Sequence, residues 1–130
     1  MRGHRSIFWV RLTAVIGLAI GVGACSTEPE LSLSDGAREG KTLYDNNGCA
    51  ACHGANGSGG VGPTLAGHAG STVALSDGSS VLADREYLIE SILLPQAQLV
   101  AGYNIKMPQN GLTVEQADLI AQFIEEMPLP

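Results

Sequence analysis

The chain of 130 residues is long enough for one folded domain, and its thirteen acidic and seven basic residues give a formal charge of −6. This acidic balance excludes proteins that bind nucleic acid or anionic lipid surfaces through general charge attraction. Two Phe, three Tyr and one Trp supply few large aromatic side chains, so the chain has little apolar bulk of its own for a core.

The N-terminal segment has the three regions of a signal peptide. Arg2, Arg5 and Arg11 give it a basic start, residues 12–22 form an apolar run, and small residues precede Cys25. The apolar run is too short to span a bilayer comfortably, which disfavours an uncleaved anchor. We therefore expect export to the periplasm or to the outer face of a bacterial membrane.

The segment VGAC, residues 22–25, resembles a bacterial lipobox, in which cleavage leaves a lipid-modified cysteine at the new N-terminus. Ordinary signal cleavage at the same bond would leave a free thiol instead. We expect residues 1–24 to be a lipoprotein-type signal peptide, residues 25–34 a polar tether and residues 35–130 the folded domain. Lipid on Cys25 would hold that domain at a membrane.

A first helix is predicted over residues 35–46, where Ser34 or Asp35 can cap the N-terminus and apolar side chains recur at helical spacing. Gly40 lies inside this helix, where glycine costs about 1 kcal/mol relative to alanine. The glycine indicates close approach of another helix, or it is simply tolerated there.

Residues 49–53, CAACH, have the C-x-x-C-H pattern of c-type haem attachment. Cys49 and Cys52 can each form a thioether with a vinyl group of one porphyrin, and His53 can then donate a ring nitrogen to the iron. A thioredoxin-like dithiol would need a strand–helix context, but a glycine-rich loop follows. A zinc site would need a second pair of ligands. One motif predicts one covalent haem c, which would also supply the missing apolar bulk.

Residues 54–71 are predicted to be a loop because glycine is dense in them. His68 lies in this loop, either as a second haem ligand or, as we favour, as a solvated histidine. Residues 72–83 alternate apolar and polar side chains around a central Asp-Gly pair, which predicts a short β-hairpin.

Two further helices are predicted, over residues 85–94 and 114–127, each followed by a proline. Asp84 can cap the first of them. Thr113 and Gln116 have the spacing of a capping box at the start of the second.

The irregular segment 95–111 contains Met107, the candidate for the sixth iron ligand. A thioether is a neutral ligand that raises the reduction potential of haem iron. Pro108 restricts the backbone of Met107 to extended conformations. Met127, near the end of the last helix, is explained by packing alone.

Residues 40–67 resemble the start of class I cytochromes c, and residues 73–108 are similar to one branch of them. That branch is the cytochrome c domain at the C-terminus of subunit II in caa3-type oxidases. The resemblance covers residues 36–127. It implies an all-α fold of three to four helices around a covalent haem, with a short β-hairpin insertion. The copper-binding domain and paired transmembrane helices of subunit II have no counterpart here, which indicates a free-standing cytochrome.

The resemblance also implies roles for individual residues. Cys49 and Cys52 would form the thioethers, and His53 and Met107 would be the axial ligands. The carbonyl of Pro63 would bond to the other ring nitrogen of His53.

A helix crossing follows from the same resemblance. Gly40 and Tyr44 of the first helix would cross the last helix near Ile120 and Phe123, which would explain a glycine inside the first helix.

We therefore expect a one-electron carrier in a bacterial respiratory chain, delivering electrons towards a terminal oxidase, and not an enzyme. The alternatives are a haem enzyme or gas-binding protein with a labile sixth ligand, and an assembly subunit in which haem stabilises the fold. Ligand binding by the ferrous protein separates the first alternative from a carrier. Electron-transfer rates with a redox partner distinguish a carrier from an assembly subunit.

The charge distribution bears on how redox partners dock. All thirteen acidic residues but only four of the seven basic ones follow residue 24, so the mature formal charge is −9. Residues 54–71 and 97–111, which are predicted to flank the haem, contain no Asp or Glu, and Lys106 is their one charged side chain apart from histidine. We expect an apolar docking contact rather than acidic steering.

Overall fold

The computed structural model describes residues 32–129. The predicted signal peptide, Cys25 and nearly all of the tether lie outside these residues, so those expectations stay predictions. The described part consists of four helices and a two-stranded antiparallel sheet, in the order α1 (Asp35–Asn46), α2 (Ala50–His53), β1 (Thr72–Ala74), β2 (Ser80–Leu82), α3 (Arg85–Leu93) and α4 (Val114–Glu125). No helix within residues 32–129 is both long and apolar enough to cross a membrane.

The crossing of α1 and α4 is the main helix contact of the fold. Helix α1 has the predicted bounds, and the hydroxyl of Ser34 caps it by accepting from the amide of Ala37 at 3.2 Å. Gly40 is buried against the backbone of Leu119 and Ile120, where a Cβ would overlap the Leu119 carbonyl. The expected close approach at this glycine is therefore confirmed.

An aromatic pair lies beside the same crossing. The rings of Tyr44 and Phe123 meet edge to face, with centroids 5.4 Å apart, and both side chains are buried. Edge-to-face pairs of this kind add stability beyond the apolar area that they bury. The implied contact of the first and last helices at these residues is confirmed.

The predicted capping box of α4 is present, with the Thr113 and Gln116 side chains each bonded to the other residue's backbone amide. The helix ends at Glu125, two residues earlier than expected. Pro128 disfavours helical geometry in the residue before it. Met127 accordingly leaves the helix and is buried in the core, 6% exposed.

Helix α3 packs against α4 and is tied to it by ion pairs. Asp84 caps α3 as predicted, accepting from the Tyr87 amide at 2.9 Å. Arg85 donates to Asp118 at 2.9 Å and to Glu125 at 2.6 Å on α4.

The predicted β-hairpin forms, with Val73 opposite Val81 at its centre. Asp77 accepts from the amide of Ser79 and so closes the turn. Beyond the hairpin, Leu75 forms an isolated antiparallel bridge with Val100. This contact with the segment before Met107 was not foreseen, because it joins parts of the chain that no local pattern connects.

The N-terminus of α1 is fastened to the C-terminus of α4. The amide and hydroxyl of Ser34 donate to the carboxylate of Glu126 at 2.7 and 2.6 Å. Leu33 is buried, and Arg38 donates to its carbonyl at 2.6 Å. Leu33, through burial, and Ser34, through its hydrogen bonds, therefore belong to the folded domain.

Candidate functional site

The C-x-x-C-H motif forms the single turn of α2. The amide of Cys49 donates to the Tyr44 carbonyl at 3.1 Å, so the turn continues directly from the end of α1. The amide of His53 then donates to the Cys49 carbonyl at 3.0 Å. Gly54, with φ of 80°, ends the turn in a conformation that favours glycine. This compact turn directs both thiols and the imidazole to one cleft.

Tyr44 anchors the end of that turn. Its hydroxyl donates to the Gly54 carbonyl at 2.7 Å. Burial, with smaller effects from Cys49 and nearby acidic groups, raises the pKa of Tyr44 to about 12, so the phenol stays protonated and keeps its donor. The helix crossing thereby fixes the position of the motif.

The imidazole of His53 is held by the loop that follows. Nδ1 of His53 lies 2.8 Å from the carbonyl oxygen of Pro63, as the resemblance implied. A carbonyl can only accept, so Nδ1 carries the hydrogen and Nε2 keeps its lone pair free for a metal. Gly62 lets the loop pack on the ring, because a Cβ there would lie 2.9 Å from Cε1.

The cleft has a volume of about 260 Å³ and a mostly apolar lining. Cys49, Cys52, His53 and Met107 all line it. The structure thus brings the four predicted site residues together although 54 positions separate His53 from Met107 in the chain. Met127 lies in the core cluster instead.

His68 also lines the cleft and is half-buried, its ring 6.3 Å from that of Tyr87. Burial, with a smaller contribution from nearby His53, lowers the pKa of His68, which favours the neutral ring. The expectation of a solvated histidine is therefore corrected, since His68 is half-buried in the cleft lining. The segment 67–71 folds back onto the end of the hairpin just before α3, since the amide of Gly70 donates to the Ala83 carbonyl.

The pKa of the Cys49 thiol differs from that of a redox-active dithiol. Burial is the main cause that raises the pKa of the Cys49 thiol, whereas redox-active dithiols depend on a lowered thiol pKa. Within residues 32–129, His, Cys, Asp and Glu side chains form no group of three or more placed to hold a metal ion. The Cys49 thiol therefore lacks the lowered pKa on which redox exchange depends.

The lining of the cleft fits a haem group. None of the described lining residues is Asp or Glu, so a group with its own carboxylates meets no fixed negative charge. Ser91 Oγ is a buried oxygen that lines the cleft and has no hydrogen-bond partner among the described residues. A buried hydroxyl without a partner is costly, and a polar group of a bound ligand could supply one.

Tyr87 and Ser91 are lining residues that the sequence reasoning missed. They lie four positions apart on α3, so they share the helix face that meets the cleft. That spacing was the available signal, but only the bounds and the N-terminal cap of this helix were predicted.

The family comparison agrees with this geometry. A family model described as Cytochrome c matches residues 37–128, which is most of the chain and nearly all of the described domain. No curated protein matches the sequence. Cytochrome c domains carry covalently bound haem c, are generally electron carriers and are typically exported. From its matching residues, its four helices and the cleft beside its C-x-x-C-H turn, this chain belongs to the cytochrome c family.

Proposed function

We propose that this protein is a mono-haem electron carrier with Cys49 and Cys52 as thioether residues and His53 and Met107 as axial ligands. The observation that carries the proposal is the convergence of these four residues on one cleft, with Nδ1 of His53 already bonded to Pro63. The bound haem would supply one iron that alternates between the ferric and ferrous states.

Two axial residues favour a carrier over an enzyme. With His53 and Met107 both bound, the haem iron would have no coordination position left for a substrate or a gas. Among the described residues that line the cleft, none is a carboxylate that could act as a general acid or base. These features support electron transfer as the function.

The test is binding of carbon monoxide by the ferrous holoprotein. We expect no binding by the wild type and ready binding by Met107→Ala. Met127→Ala is the matched control, because its side chain packs in the core, and it should behave as the wild type does. Rapid binding by the wild type would instead favour a gas-binding or enzymatic haem protein with a labile sixth ligand.

We also propose that the carrier is exported, is anchored by lipid on Cys25 and passes electrons towards a terminal oxidase. The signal-like segment supports the first two statements, and the resemblance to the caa3 oxidase domain supports the third. Mass spectrometry of the mature N-terminus tests the anchor. An unmodified Cys25 on a protein in the soluble fraction would contradict it.

The mouth of the cleft supports an apolar contact with the redox partner. Val61, Tyr103 and Ile105 line the cleft and remain 51%, 40% and 60% exposed. Lys106 lies among them, and the acidic side chains lie on other parts of the chain. We propose that a redox protein with an apolar, weakly charged surface docks here.

A further inference from the structure

The end of α3 leaves backbone acceptors that the helix itself cannot satisfy. Pro95 has no amide hydrogen, so the carbonyl of Ser91 loses its usual partner four residues on. The chain leaves helical geometry at Leu94, with φ of −125° and ψ of 62°. The next carbonyl, that of Ile92, accepts instead from Nδ2 of Asn110 at 2.7 Å. A side chain from the segment after Met107 thus caps this helix.

A second side-chain bond joins the same two segments in the opposite direction. Nε2 of Gln96, just after Pro95, donates to the carbonyl of Met107 at 2.7 Å. Oδ1 of Asn110 also accepts from the amide of Leu112 at 3.1 Å, which orients the Asn110 amide group. We call the Gln96–Met107 and Asn110–Ile92 bonds the α3 clasp.

The clasp spans the part of the chain that carries the candidate ligand. Gly102 and Gly111, with φ of 85° and 72°, lie on either side of this part, where the backbone adopts a conformation that favours glycine. Pro108 holds the Met107 backbone extended but does not fix where the segment lies. The two clasp bonds supply that position, since one joins the segment to the last turn of α3 and the other joins it to Gln96, just after Pro95.

We propose that Gln96 and Asn110 are positioning residues that keep the Met107 thioether in the cleft and so set how well it resists displacement. This inference rests on the proposed function, in which Met107 is the sixth ligand. A methionine thioether is a neutral ligand on a side chain with three rotatable bonds. The strength with which this thioether binds a metal therefore depends on how tightly the Met107 backbone is held in position.

The two bonds should contribute unequally. Asn110 is half-buried and its bond to Ile92 is partly shielded from water, whereas Gln96 is exposed. Water can replace an exposed donor more easily than a shielded one. Loss of Asn110 should therefore matter more than loss of Gln96.

The test is titration of the ferric holoprotein with imidazole, which competes with the sixth ligand. We expect Asn110→Ala to bind imidazole about tenfold more tightly than the wild type and Gln96→Ala about threefold more tightly. Methionine ligation gives ferric haem a weak far-red charge-transfer band, and we expect this band to be weaker in both variants. Gln109→Ala is the matched control, since Gln109 is exposed in the same segment and forms no side-chain hydrogen bond with the described residues. It should match the wild type.

Wild-type imidazole affinity in both clasp variants would overturn the proposal. If Asn110→Ala does not give folded protein, Gln96→Ala decides the question alone, because its exposed side chain is not needed for packing. Met107→Ala tests the assignment of Met107 as the sixth ligand separately from the role of the clasp. Tight binding by Met107→Ala with unchanged clasp variants would reject the clasp alone. Wild-type affinity in Met107→Ala would reject Met107 as the ligand.

Discussion

The carbonyl oxygen of Pro63 lies 2.8 Å from Nδ1 of His53, in the loop that packs on the imidazole. This contact fixes both the tautomer and the orientation of the ring. A hydrogen bond at Nδ1 also makes a metal-bound imidazole a stronger electron donor through Nε2. The loop after the motif therefore takes part in setting the properties of the site.

Gly62→Ala tests this contact. A Cβ at Gly62 would lie 2.9–3.3 Å from three ring atoms of His53, so the loop and the ring must move apart. We expect the bond from Nδ1 to Pro63 to weaken and the reduction potential to rise, since a less basic imidazole stabilises ferric iron less. Redox titration measures the change. Ser58→Ala is the control because Ser58 is exposed in the same loop and does not line the cleft. An equal shift in both variants would contradict this role.

Gly40→Ala should destabilise the helix crossing. Its Cβ would overlap the backbone carbonyl of Leu119, which cannot rotate away. We expect a net loss of about 2 kcal/mol or more in unfolding free energy, because overpacking exceeds the gain of about 1 kcal/mol in helix propensity. Gly36→Ala is the control, since only the flexible end of Gln122 obstructs it. Denaturant unfolding with equal stability in both variants would show that α1 and α4 do not meet closely at Gly40.

The ion pairs of Arg85 should give the protein a pH-dependent stability. The hydrogen bond from Arg85 is the main cause that lowers the pKa of Asp118. A lowered pKa in the folded state stabilises above the ordinary carboxyl pKa, and this stabilisation is lost as the pH falls through the lowered value. Asp118→Asn should cost about 1 kcal/mol or less near neutral pH, because both groups are partly exposed.

Thermal melting over a pH series measures this effect. The difference between the wild type and Asp118→Asn should shrink as the solution becomes acidic. A difference that persists unchanged at acid pH would show that the pair does not act through its charge.

Electron transfer to the partner should depend only weakly on salt. The cleft mouth has exposed apolar side chains and Lys106, and its flanking segments contain no Asp or Glu. Because such a contact contains few charges, screening by salt changes the rate of association little. Stopped-flow oxidation of the ferrous protein by a purified terminal oxidase, across an ionic-strength series, is the measurement. A steep fall in rate with added salt would show that acidic groups steer the encounter.

Much of the architecture could be predicted because the signals are local. The caps at Ser34, Asp84 and Thr113 mark the three long helices, and the alternation around Asp77 marks the hairpin. The turn of α2 was not predicted as a helix, because four residues are too few to show a helical period.

The remaining features depend on contacts between distant parts of the chain. Nothing near His68 indicates that its loop folds back beside Tyr87. The bonds from Gln96 and Asn110 join side chains to backbone carbonyls. Every residue has a backbone carbonyl, so the amino-acid types do not indicate which carbonyls accept these bonds. Such pairings become visible only once the fold has placed the two segments together.

The central claim is that the two motif cysteines bind haem covalently, and acid–acetone extraction of the mature protein tests it most directly. Cys49, the N-cap of α2, and Cys52, within α2, both line the cleft beside His53. We predict that one haem per chain stays with the polypeptide in the wild type and extracts freely from a Cys49→Ala, Cys52→Ala double variant. Haem that extracts freely from the wild-type protein would contradict the account.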